Sequence, residues 1–250
     1  MDIVYAIWLR SMKRFIRSRS GIVGSILMPF FVLIFLGVGL NNVVTIPGLG
    51  GGDYFLFLIP GMVTMSVMFS AIGSGVQILW DRKFGFLKET LVAPVTRLEI
   101  MAGQTAGGAT NAVLQGCCLL IPALLLLGLE IQNMAGVAVT LAFMVLIGFG
   151  FTAFGIAVAS RTGDSAGFQL IMNFVMLPIF GLSGAIFPIS SLPSWAVPFT
   201  LIDPLTYGVE GMRYGLTGVS QIHPAICIAV IGGFCIASTV AGAFLFRKMK

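Results

Sequence analysis

Gln104, Thr105, Thr110, Asn111 and Gln115 stand on a run from Ile100 to Leu129 that holds no Asp, Glu, Lys or Arg. Gln77, Gln169 and Asn173 occupy similar uncharged runs. Amides and hydroxyls in apolar surroundings do one of two things. They line a path for a polar group, or they hydrogen-bond one helix to another at about 0.6–2 kcal/mol each. Gln77, Gln104, Asn111, Gln115 and Asn173 are the candidates for a path lining. Gly103 and Gly107 form a G-x-x-x-G on the same run, followed by Gly108, which suits close helix packing.

Most other chemistry is excluded. There is no G-x-x-x-x-G-K-[ST], so the chain cannot cradle ATP phosphates in the P-loop manner. It also lacks H-E-x-x-H and any cluster of acids. Cys117, Cys118, Cys227 and Cys235 all lie in apolar runs without a C-x-x-C pair and read as packing residues. The single histidine, His223, cannot build a zinc site and reads as an interfacial polar residue. No catalytic residue and no metal site are expected. The uncharged runs also argue against a proton-coupled pump, which needs acids or bases inside the membrane. Glu210 and Arg213, at i and i+3, read as an exposed pair that anchors an outer helix and adds little stability.

The elements that must carry these residues follow from composition. Of 250 residues, 58% are hydrophobic and 9% charged, against about 25% charged in a soluble domain. The net charge of +5 does not point to nucleic acid, because the basic residues gather at the ends of apolar runs. Six runs, 21–40, 54–80, 100–129, 135–159, 167–187 and 224–246, are uncharged and long enough for a bilayer, which needs about 20 residues per helix. Backbone in lipid must satisfy itself, so the expected fold is an all-α membrane protein with six transmembrane helices. Arg213 is the one basic residue of 14 on the far side, which makes both termini cytoplasmic.

Residues 1–20 interleave Val4, Tyr5, Trp8, Met12, Phe15 and Ile16 with Arg10, Lys13, Arg14, Arg17 and Arg19. That pattern predicts an amphipathic interfacial helix, with residues 21–250 as one membrane domain. Residues 188–223 carry Pro188, Pro193, Pro198 and Pro204 yet are rich in apolar side chains. Such an outer segment is expected to dip back into the membrane as a re-entrant helical pair before the last span.

Between the second and third runs lies Asp81–Glu99, with Arg82, Lys83, Lys88 and Arg97. Phe84, Leu87, Leu91 and Val92 recur at helical spacing and Pro94 ends the pattern. A short helix with one apolar face, held on the cytoplasmic side, is a handle for a partner.

Two stretches carry a resemblance. Gly85-Phe86-Leu87 followed by Leu91-Val92-Ala93-Pro94-Val95-Thr96-Arg97 resembles the cytoplasmic loop between the second and third spans of type-2 ATP-binding-cassette (ABC) exporter permeases. Leu182-Ser183-Gly184-Ala185-Ile186-Phe187-Pro188, Leu192-Pro193 and Asp203-Pro204-Leu205-Thr206-Tyr207, ending at Arg213, resemble the outer segment of the same family. The subgroup most similar is the drug-resistance and nodulation-factor exporter permeases. Two departures stand out: Lys83-Phe84-Gly85-Phe86 where many relatives have Glu-x-Gly-Thr, and Asp203-Pro204 where many have Asn-Pro.

The resemblance implies a non-catalytic subunit in a prokaryotic plasma membrane. It pairs with a second permease chain, identical or a close paralogue, above two copies of a separate ATPase. ATP and Mg belong to that ATPase, and this chain carries no cofactor. The resemblance makes Asp81, Arg82, Lys83, Phe84, Gly85, Phe86, Leu87, Lys88, Glu89, Leu91, Val92, Pro94 and Arg97 the ATPase-coupling residues. It makes Gly184, Pro188, Pro193, Asp203, Pro204, Tyr207 and Arg213 the outer segment. The implied cargo is an amphipathic or hydrophobic drug-like compound or a lipid, with a lipid-linked glycan as the alternative. A transporter or channel that needs no ATPase is the alternative of another class.

Overall fold

Long uncharged runs have one way to satisfy their backbone in lipid, and the chain takes it. The computed structural model describes residues 2–40, 54–85, 96–127 and 134–247. They form α1 (Asp2–Arg17), α2 (Arg19–Leu40), α3 (Tyr54–Lys83), α4 (Arg97–Leu127), α5 (Met134–Ala159) and α6 (Ser165–Leu182). A 3-10 turn at Ile189–Ser191, then α7 (Val197–Ile202), α8 (Pro204–Thr217) and α9 (Pro224–Arg247) complete them. Six helices, α2 to α6 and α9, are long and apolar enough to cross a membrane.

Helices α3 and α5 are the centre of the bundle. Their most apolar stretches are 72% and 61% buried, against 17% for α2 and 22% for α6 and α9, which leave broad faces open. Phe57, Met62, Met68 and Ile72 of α3 meet Phe143, Met144, Ile147 and Phe151 of α5 in one core. Helices α4, α8 and α9 close around this pair, and α1 lies along α4.

Several helix ends differ from the expected ones, each for a local reason. Helix α3 runs through Lys83, so Asp81, Arg82 and Lys83 are helical residues rather than loop. It stops at Gly85, whose φ of 80° suits a residue without Cβ. Phe84 belongs to this turn and stacks on Trp80 at 5.6 Å, so the expected coupling helix does not begin there. The remainder of that helix, from Phe86 through Leu87, Lys88, Glu89, Leu91, Val92 and Pro94, lies outside the described residues.

Helix α4 starts at Arg97, three residues before the uncharged run. Thr96 donates its N–H and its hydroxyl to Glu99 Oε2, both at 2.8 Å, and Glu99 returns its N–H to Thr96 Oγ1 at 3.3 Å. This is a capping box, legible as T-x-x-E. Helix α6 ends at Leu182 instead of Phe187, because Ser183 caps it and Gly184 turns the chain at φ 72°. His223 has a plain role: its Nδ1 accepts the Ala225 N–H at 3.3 Å, at the start of α9.

Candidate functional site

Two buried polar clusters sit towards opposite ends of α3. A 30-residue helix is roughly 45 Å long, so its last turn reaches past a hydrocarbon core of about 30 Å. Asp81 occupies that last turn and is 4% exposed. A buried carboxylate must be compensated, and α1 and α4 do so. Arg10 of α1 forms an ion pair with Asp81 Oδ1, and Arg14 approaches the same oxygen to 3.7 Å. Gln104 of α4 donates to Oδ2 at 3.2 Å, and Gln77 to Oδ1 at 3.5 Å. Arg10 and Arg14 are i and i+4, hence on one face of α1. Burial pushes the Arg14 guanidinium below its ordinary value and Arg10 adds to this, while Asp81 partly offsets both.

Further along, the same two helices are joined by neutral side chains. Trp8 Nε1 donates to Thr110 Oγ1 at 3.1 Å, and Asn111 Nδ2 donates to Ser11 Oγ at 3.0 Å. Gln115 donates to Ser25 of α2. Small residues permit this approach. A Cβ on Gly103 would sit 2.9 Å from the Ile7 Cβ, and one on Gly107 would sit 2.7 Å from the Ser11 Cβ. The G-x-x-x-G is therefore a packing surface, and its partner is α1.

Both readings of the intramembrane amides meet in one place. Gln77, Gln104, Asn111 and Gln115 hydrogen-bond between side chains, and all four also line a cavity of about 220 Å³. Ser11 and Arg14 close it from α1, Gly21 from α2, and Ser70 and Ser74 from α3. Asn173 does not join them; it is exposed on α6. The sequence reading missed Asp81 as the hub. The available signal was an acid at a helix end facing an amphipathic helix with arginines one turn apart.

Of the remaining loop candidates, Arg82 and Lys83 are exposed, with Lys83 Nζ 5.5 Å from the Trp80 ring centre. Arg97 donates to the Arg247 carbonyl at 2.7 Å and so joins the start of α4 to the end of α9.

The second cluster is at the Tyr54 end of α3. The expectation of an exposed Glu210–Arg213 pair is wrong: the two residues are 0% and 2% exposed. Helix α8 is packed between α5, α9 and α3, so its polar face has no water to reach. Arg213 pairs with Glu210, donates to the Gly184 carbonyl at 3.0 Å and lies 3.9 Å above the Phe57 ring. Glu210 Oε2 accepts the Gln221 N–H. Burial lowers the Arg213 pKa and Glu210 opposes that shift. The Tyr54 hydroxyl donates to the Ile186 carbonyl at 2.9 Å. Together these contacts tie residues 184–186 and α8 to α3. Pro188 is buried and Pro193 exposed. Asp203 caps α8 through the Leu205 N–H at 2.9 Å, with Pro204 as the first helical residue. The Tyr207 hydroxyl donates to the Leu201 carbonyl at 2.8 Å.

Among the described residues no group of His, Cys, Asp and Glu could hold a metal. What the geometry offers is a membrane-spanning bundle with a polar cavity and two ion-paired ends. The model of the ABC-2 type transporter family matches residues 3–217. The chain belongs to that family. It is the membrane permease component of an ABC-2 transporter, the subunit that does no catalysis and works with an ATPase subunit. Inner membrane transport permease YadH of Escherichia coli K12 is 25% identical over 235 residues, spanning 93% of this chain and 90% of that protein. Nodulation protein J of Rhizobium leguminosarum bv. trifolii is 27% identical over 250 residues, spanning 97% of this chain and 94% of that one. Nodulation protein J of Sinorhizobium fredii is 26% identical over 237 residues, spanning 92% and 88%. The resemblance carried by residues 81–97 and 182–213 is thus a family membership, and this ABC-2 permease leaves ATP chemistry to its companion.

Proposed function

We propose that this chain is the membrane half of an ATP-driven exporter in a prokaryotic plasma membrane. Two permease chains pair, each above an ATPase subunit, and the segment 81–99 receives the ATPase on the cytoplasmic side. Helix α1 is the interfacial helix and supplies a second contact. The observation that carries this reading is the Asp81 network. The helix that delivers the basic loop is ion-paired to α1 and hydrogen-bonded to α4. A push on the loop therefore moves α1, α3 and α4 together. Core packing between α3 and α5 passes the motion to the rest of the bundle, as in a two-state element biased by nucleotide.

Both termini are cytoplasmic in this reading, which follows from the basic residues at the Lys83 end of α3, on α1 and after α9. The segment from Pro188 to Thr217 is the re-entrant outer piece. The Glu210–Arg213 pair holds it to α3 in both states. The cargo is an amphipathic or hydrophobic compound or a lipid, and Gln77, Gln104, Asn111 and Gln115 line part of its route. A lipid-linked glycan is the second reading, favoured by the amides and hydroxyls of the cavity.

Co-purification in mild detergent tests the arrangement. The chain should bring down a P-loop ATPase and raise its hydrolysis rate. Leu87→Asp or Leu91→Asp should abolish that association and transport while leaving membrane insertion intact. Transport that survives with the ATPase still bound would remove the loop from the coupling role. Transport by the purified chain without any ATPase would make it a transporter of another class.

A further inference from the structure

The segment 81–99 is gripped at both ends. Its first residue, Asp81, is held by Arg10 of α1. Near its last, Arg97 Nη1 donates at 2.7 Å to the carbonyl of Arg247, the final residue of α9. The last carbonyls of a helix have no partner within it and carry the negative end of its dipole. A guanidinium there makes a charge-assisted hydrogen bond and caps α9. Arg97 is itself fixed in place, because the Thr96–Glu99 capping box sets the start of α4.

One turn further along, the contact becomes apolar. Arg97 and Met101 are i and i+4, on one face of α4. A Cβ on Gly242 of α9 would sit 2.7 Å from Met101 Cε and 3.1 Å from the Ala153 carbonyl of α5. The missing side chain lets α9 settle into the notch between α4 and α5. Phe246, one turn on, is buried there. These residues belong to a second core, separate from the main one, where Ile7 of α1, Ile78 of α3, Met101, Ile156 of α5 and Phe246 meet. Ile78 stands just before Asp81 in α3, so this core lies at the cytoplasmic end in the reading above. The main core takes Cys227 and Ile231 from the other end of α9. Helix α9 is thus attached at both ends, while its most apolar stretch is only 22% buried.

We infer that this α4–α9 junction carries movement of the segment 81–99 directly to the last span, with Arg97 as its positioning residue. The inference rests on that segment receiving the ATPase, and it adds a route beside the one through α3 and α5. Arg97 holds the end of α9 to the start of α4. Gly242 and Phe246 seat α9 against Met101, so the two helices shift as one piece at this end.

Hydrogen exchange read by mass spectrometry tests the junction in two steps. The first uses the purified full chain in detergent. Arg97→Met should speed exchange of the amides of residues 244–247 about tenfold, the scale of one charge-assisted hydrogen bond at a fraying helix end. Arg97→Lys keeps a cation with donors and should restore most of the protection. Arg82→Met removes an exposed cation of α3 and should change nothing in α9. Unchanged exchange in Arg97→Met, or an equal rise in Arg82→Met, overturns the junction.

The second step uses the complex with the co-purified ATPase, with and without Mg and a non-hydrolysable ATP analogue. In the parent, nucleotide should change exchange in both 97–127 and 224–247. Gly242→Leu forces α9 away from Met101, and Phe246→Ala thins the second core. Each should keep the response of 97–127 and lose most of that of 224–247. A junction that merely packs would alter the resting exchange of α9 in these variants and leave its nucleotide response in place, which overturns the inference. A parent in which 97–127 responds and 224–247 does not overturns it as well, with the ATPase reading intact. A parent in which neither responds removes the ATPase from the segment 81–99, and the junction's role falls with it.

Discussion

The guanidinium of Arg10 donates to the Asp81 carboxylate across 71 residues of sequence. It joins an amphipathic helix to the last turn of the central span. Neither side chain is placed there by its own helix alone. Helix α1 is brought in by Gly103 and Gly107, and α3 is long enough to carry Asp81 beyond the apolar layer.

Removing the carboxylate should release α1. Asp81→Asn removes the negative charge that Arg10 and Arg14 face and weakens the Gln104 bond. The expected loss is about 1–3 kcal/mol of local stability. Trypsin has its sites on α1 at Arg10, Lys13, Arg14 and Arg17. Nicking there should quicken about tenfold, because cleavage of a locally opened segment tracks its population. An unchanged nicking rate would mean that the neutral bonds of Trp8 and Asn111 suffice to hold the helix.

Gly107 gives a steric version of the same test. A leucine there meets Ser11, and overpacking of this kind costs about 1–3 kcal/mol. Gly107→Leu should lower the thermal unfolding midpoint in detergent and accelerate nicking of α1. Gly24→Leu is the control. Nothing lies within 4 Å of a Cβ at that position, so the midpoint should stay within the range of about ±0.5 kcal/mol of a neutral surface change. Equal effects from both would place the damage in helix α2 or in insertion instead of at the α1–α4 contact.

The sequence made the six spans legible because charge-free runs of bilayer length have one backbone solution. It also made the G-x-x-x-G legible as a packing surface, but not its partner, since small residues announce closeness without naming what comes close. Asp81 was misjudged because a charge at the edge of a span reads as loop. Only the approach of Arg10 and Arg14 makes its burial tolerable. Glu210 and Arg213 were misjudged in the same way: spacing gave the pair, whereas the burial comes from α5 and α9 packing around α8. The amides at positions 77, 104, 111 and 115 were legible as a group. Asn173 fell outside that group because it stands about 100° round α6 from Met172, on the buried stripe of Phe168, Met172, Met176 and Phe180, and faces outward.

The buried pair at the other end of α3 should behave as a unit. Glu210→Ala leaves a buried guanidinium without its anion, and Arg213→Ala leaves a buried carboxylate. Each single change is expected to cost about 3–5 kcal/mol, and the double change to Gln and Met clearly less than the sum. Thermal unfolding of the purified chain measures both. Additive losses would show that the two side chains act through separate contacts, Arg213 through Gly184 and Phe57, and Glu210 through Gln221.

Asp203 gives the pH test. Burial is the largest influence on its carboxyl and pushes it up to about 7, against the Leu205 N–H and the Thr206 hydroxyl, which pull it down. In the unfolded chain the group titrates near about 3.9. The folded state therefore binds this proton more tightly, so stability falls as pH rises from about 4 to 7 and levels off above that. Asparagine caps a helix as well as aspartate and has no proton to lose. Asp203→Asn should match the parent near pH 4 and exceed it at pH 8 by on the order of 2–4 kcal/mol, since each tenfold change in proton affinity is worth about 1.4 kcal/mol. Unfolding midpoints taken across this range decide it. The variant should be flat where the parent slopes. A slope that survives in Asp203→Asn assigns the proton to another group and leaves Asp203 as a cap alone.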